Sequence, residues 1–244
     1  MKKNIQVIYQ DKDLAVCYKA AGVPVQTSKA GRQDMVSLLR NYFAERGDNT
    51  QVYVVHRLDQ PVEGVMVFAR NQDAAANLSR QSRERSMDKC YMALAEGIFQ
   101  ESSAVLEDYL LREGRSNTSR VVSQSTPGAK QAKLSYEVIE VWQPLQVYSG
   151  EAEHSLSRLQ QEGRRIFSAY WRSQRENEVS LIQIKLETGR HHQIRVQMAH
   201  AGHPLVGDKK YNPNSSREYL PVALCAVKIA FCHPRDGRNM EFTV

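Results

Sequence analysis

The chain has 244 residues, of which 41% are hydrophobic, with a formal net charge of +6 and a pI of about 9.1. That apolar fraction excludes a disordered chain, and the length suits one large domain or two small ones. The basic surplus favours a polyanionic partner, most simply a nucleic acid. The four cysteines, Cys17, Cys90, Cys225 and Cys232, contain no C-x-x-C pair. They read as free thiols in a reducing compartment rather than as a disulfide framework. Lys2 and Lys3 are not followed by the apolar stretch of a signal peptide. No run is long enough to span a bilayer, so the expected location is the cytoplasm with no membrane partner.

Ile5–Tyr9 and Leu14–Lys19 read as a hairpin joined by polar Gln10–Asp13. A loop follows over Ala20–Gly31. Asp34 is placed to cap a helix to about Arg46, with Leu38, Leu39, Tyr42 and Phe43 as its buried stripe. Val52–Arg70 (VYVVHRLDQPVEGVMVFAR) is two β-rich runs around a charged turn. Such a turn shows its polar groups from a rigid scaffold, a common place for function.

Asn71 or Asp73 caps a second helix over about Ala74–Arg85. Lys89–Phe99 alternates as a strand, and Val105–Leu111 reads as a short one. Arg112–Gln131 reads as a polar, basic loop, of a length that points to binding or mobility. Leu134–Trp142 alternates as a strand. Residues 148–178 read as a basic helical insertion, too poor in apolar residues to be a separate domain. Val179–Glu187 is the clearest alternating strand. A helix is expected over His191–His200, then a turn-rich loop over Gly202–Tyr211. Ala223–Phe231 and Met240–Val244 close the chain as strands.

Asp59 offers a carboxylate, Arg195 a guanidinium, and Tyr91 an aromatic face with a hydroxyl. Spacing alone does not show that they meet. A zinc site among His191, His192, His200 and His203 is disfavoured, because adjacent histidines on a helix point to different faces and no H-E-x-x-H is present. The expected metal content is none.

Three stretches occur in order: HRLDQPVEGVMVFAR, KCYMALAEG and TGRHHQIRVQMAHAGHPLVGDKKY. Together they resemble the RluA-type family of RNA pseudouridine synthases. The opening VIYQDKDLAVCYKAAGVPVQ is similar to that family's first hairpin, with Ala20 where proline is usual. The resemblance implies an α+β fold over 1–244. It would be a single catalytic domain with a long, mostly antiparallel mixed sheet, flanking helices and a central cleft. It also implies a reaction: uridine in RNA becomes pseudouridine by breaking the N-glycosidic bond, turning the base and forming a C1′–C5 bond, with no cofactor.

The family's aspartate falls on Asp59, a carboxylate suited to covalent catalysis. Its partner arginine falls on Arg195. Its tyrosine falls on Tyr91, whose ring can stack on the target base; a phenol with a pKa of about 10 is a poor base near neutral pH. Arg57 takes the place of the group that fills the gap left by the flipped uridine. Lys89, Arg164, Arg165 and Arg190 are further candidate RNA contacts. The implied partner is ribosomal or transfer RNA rather than DNA, bound by a monomer. One departure stands out. Glu63 adds a carboxylate where the family has a small neutral residue, and this bears on substrate preference. The competing reading is a non-catalytic RNA-binding or ribosome-assembly protein on the same fold.

Overall fold

A computed structural model describes residues 5–29, 31–142, 157–171, 178–213, 215 and 220–244. Among the described residues, eleven strands form one mixed sheet accompanied by helices, the α+β class expected. The chain divides into two compact units: Met1–Cys90 with Ala226–Val244, and Tyr91–Cys225.

In the first unit, β1 (Gln6–Gln10) and β2 (Leu14–Lys19) form the expected hairpin. Asp11 builds its turn by accepting the N–H groups of Asp13 and Leu14 at 2.8 and 2.9 Å. β2 pairs antiparallel with β4 (Glu63–Ala69), placing Lys19 opposite Gly64. β4 is buried from Gly64 to Ala69, which explains why its sequence runs apolar without alternation. The short β3 (Tyr53–Val54) pairs with its end.

α1 (Met35–Ala44) starts at a capping box between Asp34 and Ser37, and α2 (Gln72–Arg83) starts at Asn71. Leu14, Val16, Val65, Val67, Leu78 and Ile229 share one core. That core ties α2 to the sheet through Leu78.

The second unit takes in most of β5 (Asp88–Glu96), β6 (Ser103–Glu113), β7 (Thr118–Val122), β8 (Lys130–Trp142) and β9 (Val179–Leu186). β7, β6, β8 and β9 pair antiparallel in that order. α5 (Gln193–His200) is buried on nearly every side, and Val196 packs on Leu110 and Ala132 of β6 and β8. β10 (Leu224–Cys232) begins in this unit and continues into the first, where β11 (Asn239–Thr243) pairs with it.

One expected loop is a hairpin instead. Arg112–Gln131 contains β7 and the first residues of β8, leaving two short connections. Asn117 makes the turn with φ of 49°, a left-handed conformation that asparagine tolerates. The β-branched residues of TSRVV then pair with β6, so the mixed polarity of that stretch marks an edge strand rather than a loop.

Of the expected insertion 148–178, residues 148–156 and 172–177 lie outside the described residues. Within it, α3 (Arg158–Ile166) starts at a Ser157–Gln160 capping box, and α4 (Ser168–Trp171) follows. A Cβ at Gly163 would lie 2.3 Å from Leu181 Cδ2. The glycine therefore lets α3 approach β9 closely.

Candidate active site

The turn between β3 and β4 is held from three sides within the first unit. His56 is partly buried, and its Nε2 accepts the Val67 N–H at 3.1 Å. It thereby takes up a β4 backbone donor beyond the short β3 ladder. Burial, and secondarily the charge of Lys89, push the His56 pKa down to about 3. The ring is neutral near pH 7 and its Nε2 lone pair is engaged, so His56 is a structural member of the turn. Leu58 and Val62 are buried while Arg57 is exposed and Asp59 half-buried. Apolar anchors on either side thus hold the carboxylate at the rim.

Gln60 is bonded to Gly22 in both directions. Its carbonyl accepts the Gly22 N–H at 2.8 Å, and its Nε2 donates to the Gly22 carbonyl at 3.0 Å. The Val62 N–H donates to the Asp59 carbonyl at 3.1 Å and closes the turn.

The third support is Lys19, which sequence reasoning missed. Its side chain is fully buried. Nζ donates to the carbonyls of Ala20, Gln60 and Val62 at 3.3, 3.0 and 2.5 Å. Three N–H donors therefore meet three acceptors, two of them in the turn just after Asp59. Burial pulls its pKa down to about 8, opposed by the negative charges of Asp59 and Glu63. A lysine ending a strand in sequence reads as a solvent-facing charge; only the turn folded over it makes it internal. Lys89, a candidate RNA contact, is largely withdrawn from solvent, and burial lowers its pKa.

The second unit carries Tyr91 and Arg195. Tyr91 is buried on β5. Arg195 forms a two-point ion pair with Asp208, Nε and Nη2 each 2.7 Å from a carboxylate oxygen, and both side chains are almost fully buried. Its guanidinium also lies 5.2 Å from the centre of the Tyr211 ring. Tyr211 Oη accepts the Ser119 N–H at 2.7 Å and lies 2.7 Å from His192 Nδ1. Asp208 and Tyr211 thus attach the GDKKY loop to α5 and β7. The loop's motif contributed to the family resemblance, but nothing local assigned either residue a partner.

Contrary to the helical expectation, His191 and His192 precede α5 and their rings stack with centroids 3.8 Å apart. His191 Nδ1 lies 3.0 Å from Ser119 Oγ, His200 pairs with Asp108, and His203 stacks on Phe99. A different trio, Asp11, Asp13 and His233, comes close enough to resemble a ligand set. Its carboxylates are engaged, Asp11 by Tyr9 and His233 and Asp13 by Asn71 and the Arg235 guanidinium. A guanidinium on the carboxylate disfavours a second cation there.

Arg164 and Arg165, both candidate RNA contacts, part ways. Arg164 pairs with Glu140, with both side chains only about a tenth exposed, and Glu140 also accepts the Trp142 indole N–H at 2.8 Å. Arg164 therefore anchors α3 to β8, whereas Arg165, about 100° further round the helix, is exposed. Arg190 donates from Nε to the Gln131 carbonyl at 2.8 Å.

The model of the RNA pseudouridylate synthase family matches residues 13–200. The chain belongs to that family. It is the RluA-type branch that the sequence motifs resemble. The synthase is 30% identical to an uncharacterized RNA pseudouridine synthase of Aquifex aeolicus, over 98% of this chain and 69% of the relative. It is also 30% identical to the tRNA pseudouridine synthase C of Yersinia pestis, over 85% of this chain and 70% of the relative. Among solved structures it is similar to human RNA pseudouridylate synthase domain containing 1, with a TM-score of 0.73 and 26% identity. That match covers 99% of this chain and 83% of the human one. No helix of the described synthase is long and apolar enough to cross a membrane.

Proposed function

We propose that the chain isomerises specific uridines in ribosomal or transfer RNA to pseudouridine, with Asp59 as the nucleophile. The observation that carries this reading is the Asp59 turn. A carboxylate sits at the edge of a buried strand, and the backbone that follows it is bonded to Lys19 and to the Gly22 segment. Rigid placement of a nucleophile lowers the barrier by removing the orientational cost of attack. Membership of the family supports the same chemistry. Transfer RNA is the substrate class in the name of the Yersinia relative.

In this reading Asp59 bonds covalently to the nucleotide, the C1′–N1 bond breaks, the base turns and C5 bonds to C1′; the bond to Asp59 breaks and returns its carboxylate, and C5 loses its proton as N1 gains one. Tyr91 stacks on the base. Arg195, oriented by Asp208, is the counter-ion assigned to the nucleophile. Arg57 occupies the gap left by the extruded base, and Arg165 and Arg190 meet phosphates.

The test compares pseudouridine maps of ribosomal and transfer RNA from cells with and without the gene, followed by assay of Asp59→Asn on the RNA that loses a site. The expected outcome is loss of product by more than about 1,000-fold, on the scale of removing a covalent nucleophile, with RNA binding retained. An Asp59→Asn protein that keeps wild-type turnover refutes the assignment. RNA binding without any lost pseudouridine would instead favour the non-catalytic reading.

A further inference from the structure

We propose that Tyr211 is a positioning residue that holds the Arg195 guanidinium by its face while Asp208 holds it by one edge. The inference rests on the reading of Arg195 as counter-ion of the nucleophile. Asp208 engages Nε and Nη2, which fixes the guanidinium in its own plane but leaves its tilt open. The Tyr211 ring closes that freedom, with the guanidinium carbon 5.2 Å from its centre, inside the range of a cation–π contact. Both groups come from the GDKKY loop, so one loop sets two sides of the guanidinium.

The ring is itself fixed through its hydroxyl. Oη accepts the Ser119 N–H of β7 and meets His192 Nδ1, each at 2.7 Å. His192 precedes α5 with a left-handed φ of 55° and makes no side-chain capping bond to the helix; its Nδ1 is turned to Tyr211 instead. A left-handed residue other than glycine persists only where its surroundings hold it. Arg195 stands three residues on, in the first turn of α5. Lys210 adds a further tie, its Nζ donating to the Asn117 carbonyl at 2.6 Å, in the turn before β7. The phenol thus joins β7, the start of α5 and the guanidinium at one point.

The experiment uses the full chain with Tyr211→Phe and Tyr211→Leu. The Arg195 Nε–H is followed by NMR on the arginine-labelled free protein and identified by its loss in Arg195→Lys. Its hydrogen exchange is compared with that of the β8 and β9 backbone amides, which belong to the same unit. Turnover and RNA affinity are measured on the RNA pool of a strain lacking the gene. Tyr211→Phe keeps the ring but loses the two bonds to its hydroxyl. Nε–H exchange should then quicken by about 10-fold relative to those amides and kcat should fall by about 10-fold, with KM and RNA affinity held, as for a group that acts in the transition state. Tyr211→Leu removes the ring as well and should lower kcat by about 100-fold, the scale of a small misplacement of a catalytic group.

Nε–H exchange unchanged in both variants overturns the proposal. So does exchange that quickens only in step with the β8 and β9 amides, because Tyr211 would then support the unit as a whole and not Arg195. Wild-type kcat in Tyr211→Leu overturns it too, as does a loss confined to RNA affinity, which would make Tyr211 an RNA contact. The exchange measurement involves neither RNA nor Asp59, so it decides the Tyr211–Arg195 link even if the catalytic reading fails its own test.

Discussion

Asp208→Asn isolates the support beneath Arg195. In the folded protein the carboxylate meets the guanidinium through two bonds of 2.7 Å and also accepts the Lys210 N–H at 3.0 Å. Asp208 is fully buried and Arg195 nearly so. Asparagine keeps the shape and one acceptor but turns an amide N–H₂ toward the guanidinium and removes the charge. Breaking one side of a buried ion pair costs about 3–5 kcal/mol, because the remaining charge is left uncompensated. The amide oxygen recovers part of that, so we expect about 3 kcal/mol.

With a urea slope of about 2–3 kcal/mol/M, the unfolding midpoint should fall by about 1 M or more. Tryptophan fluorescence suits the measurement. Both tryptophans, Trp142 and Trp171, lie in the same unit as the pair, and Trp142 is buried on β8. A double replacement, Arg195→Met with Asp208→Leu, should be less costly than the sum of the single changes, since the two paired charges are removed together. An Asp208→Asn midpoint within about 0.3 M of wild type, well below the shift expected from that slope, would show that Arg195 does not depend on Asp208.

Two further outcomes follow from the first unit. A Cβ on Gly64 would lie 2.3–2.7 Å from backbone atoms of Ala226, at a φ of +127°. Gly64→Ala should therefore destabilise by about 3–5 kcal/mol through strain and forced separation of strands, and a urea midpoint near wild type would contradict the packing. His56 stays neutral in the folded protein down to about pH 3, whereas the unfolded chain protonates it near pH 6.5. Its contribution is present above pH 6.5 and is lost as pH falls toward 3. Between pH 7 and 5 that loss is about 2 kcal/mol. His56→Gln should flatten the dependence, and an unchanged slope between urea midpoints at pH 7 and 5 would remove His56 as its source.

The motif that identified the family was readable because it is local. HRLD lies between two apolar runs, and the turn, the strands and the capping residues Asp34 and Asn71 all declare themselves within a few positions. The helix and strand periods come from the same short-range repetition, and most elements stand where those periods place them. The exception, β7, is an edge strand. Its outer face is polar, so nothing in its composition separates it from a loop until a partner strand is present.

What the sequence by itself determined was which side chains stand at the ends of strands and in turns. What those side chains meet was decided only in three dimensions. Lys19 and Val62 are 43 positions apart, and Arg164 and Glu140 are 24 apart. No periodicity spans such separations, and a charged residue at the end of an element looks the same whether it faces water or a turn that closes over it. The fold settles the matter because a charge enclosed away from water must find partners. The carbonyls around Lys19, the carboxylate beneath Arg195 and the ion pair that turns Arg164 inward are those partners.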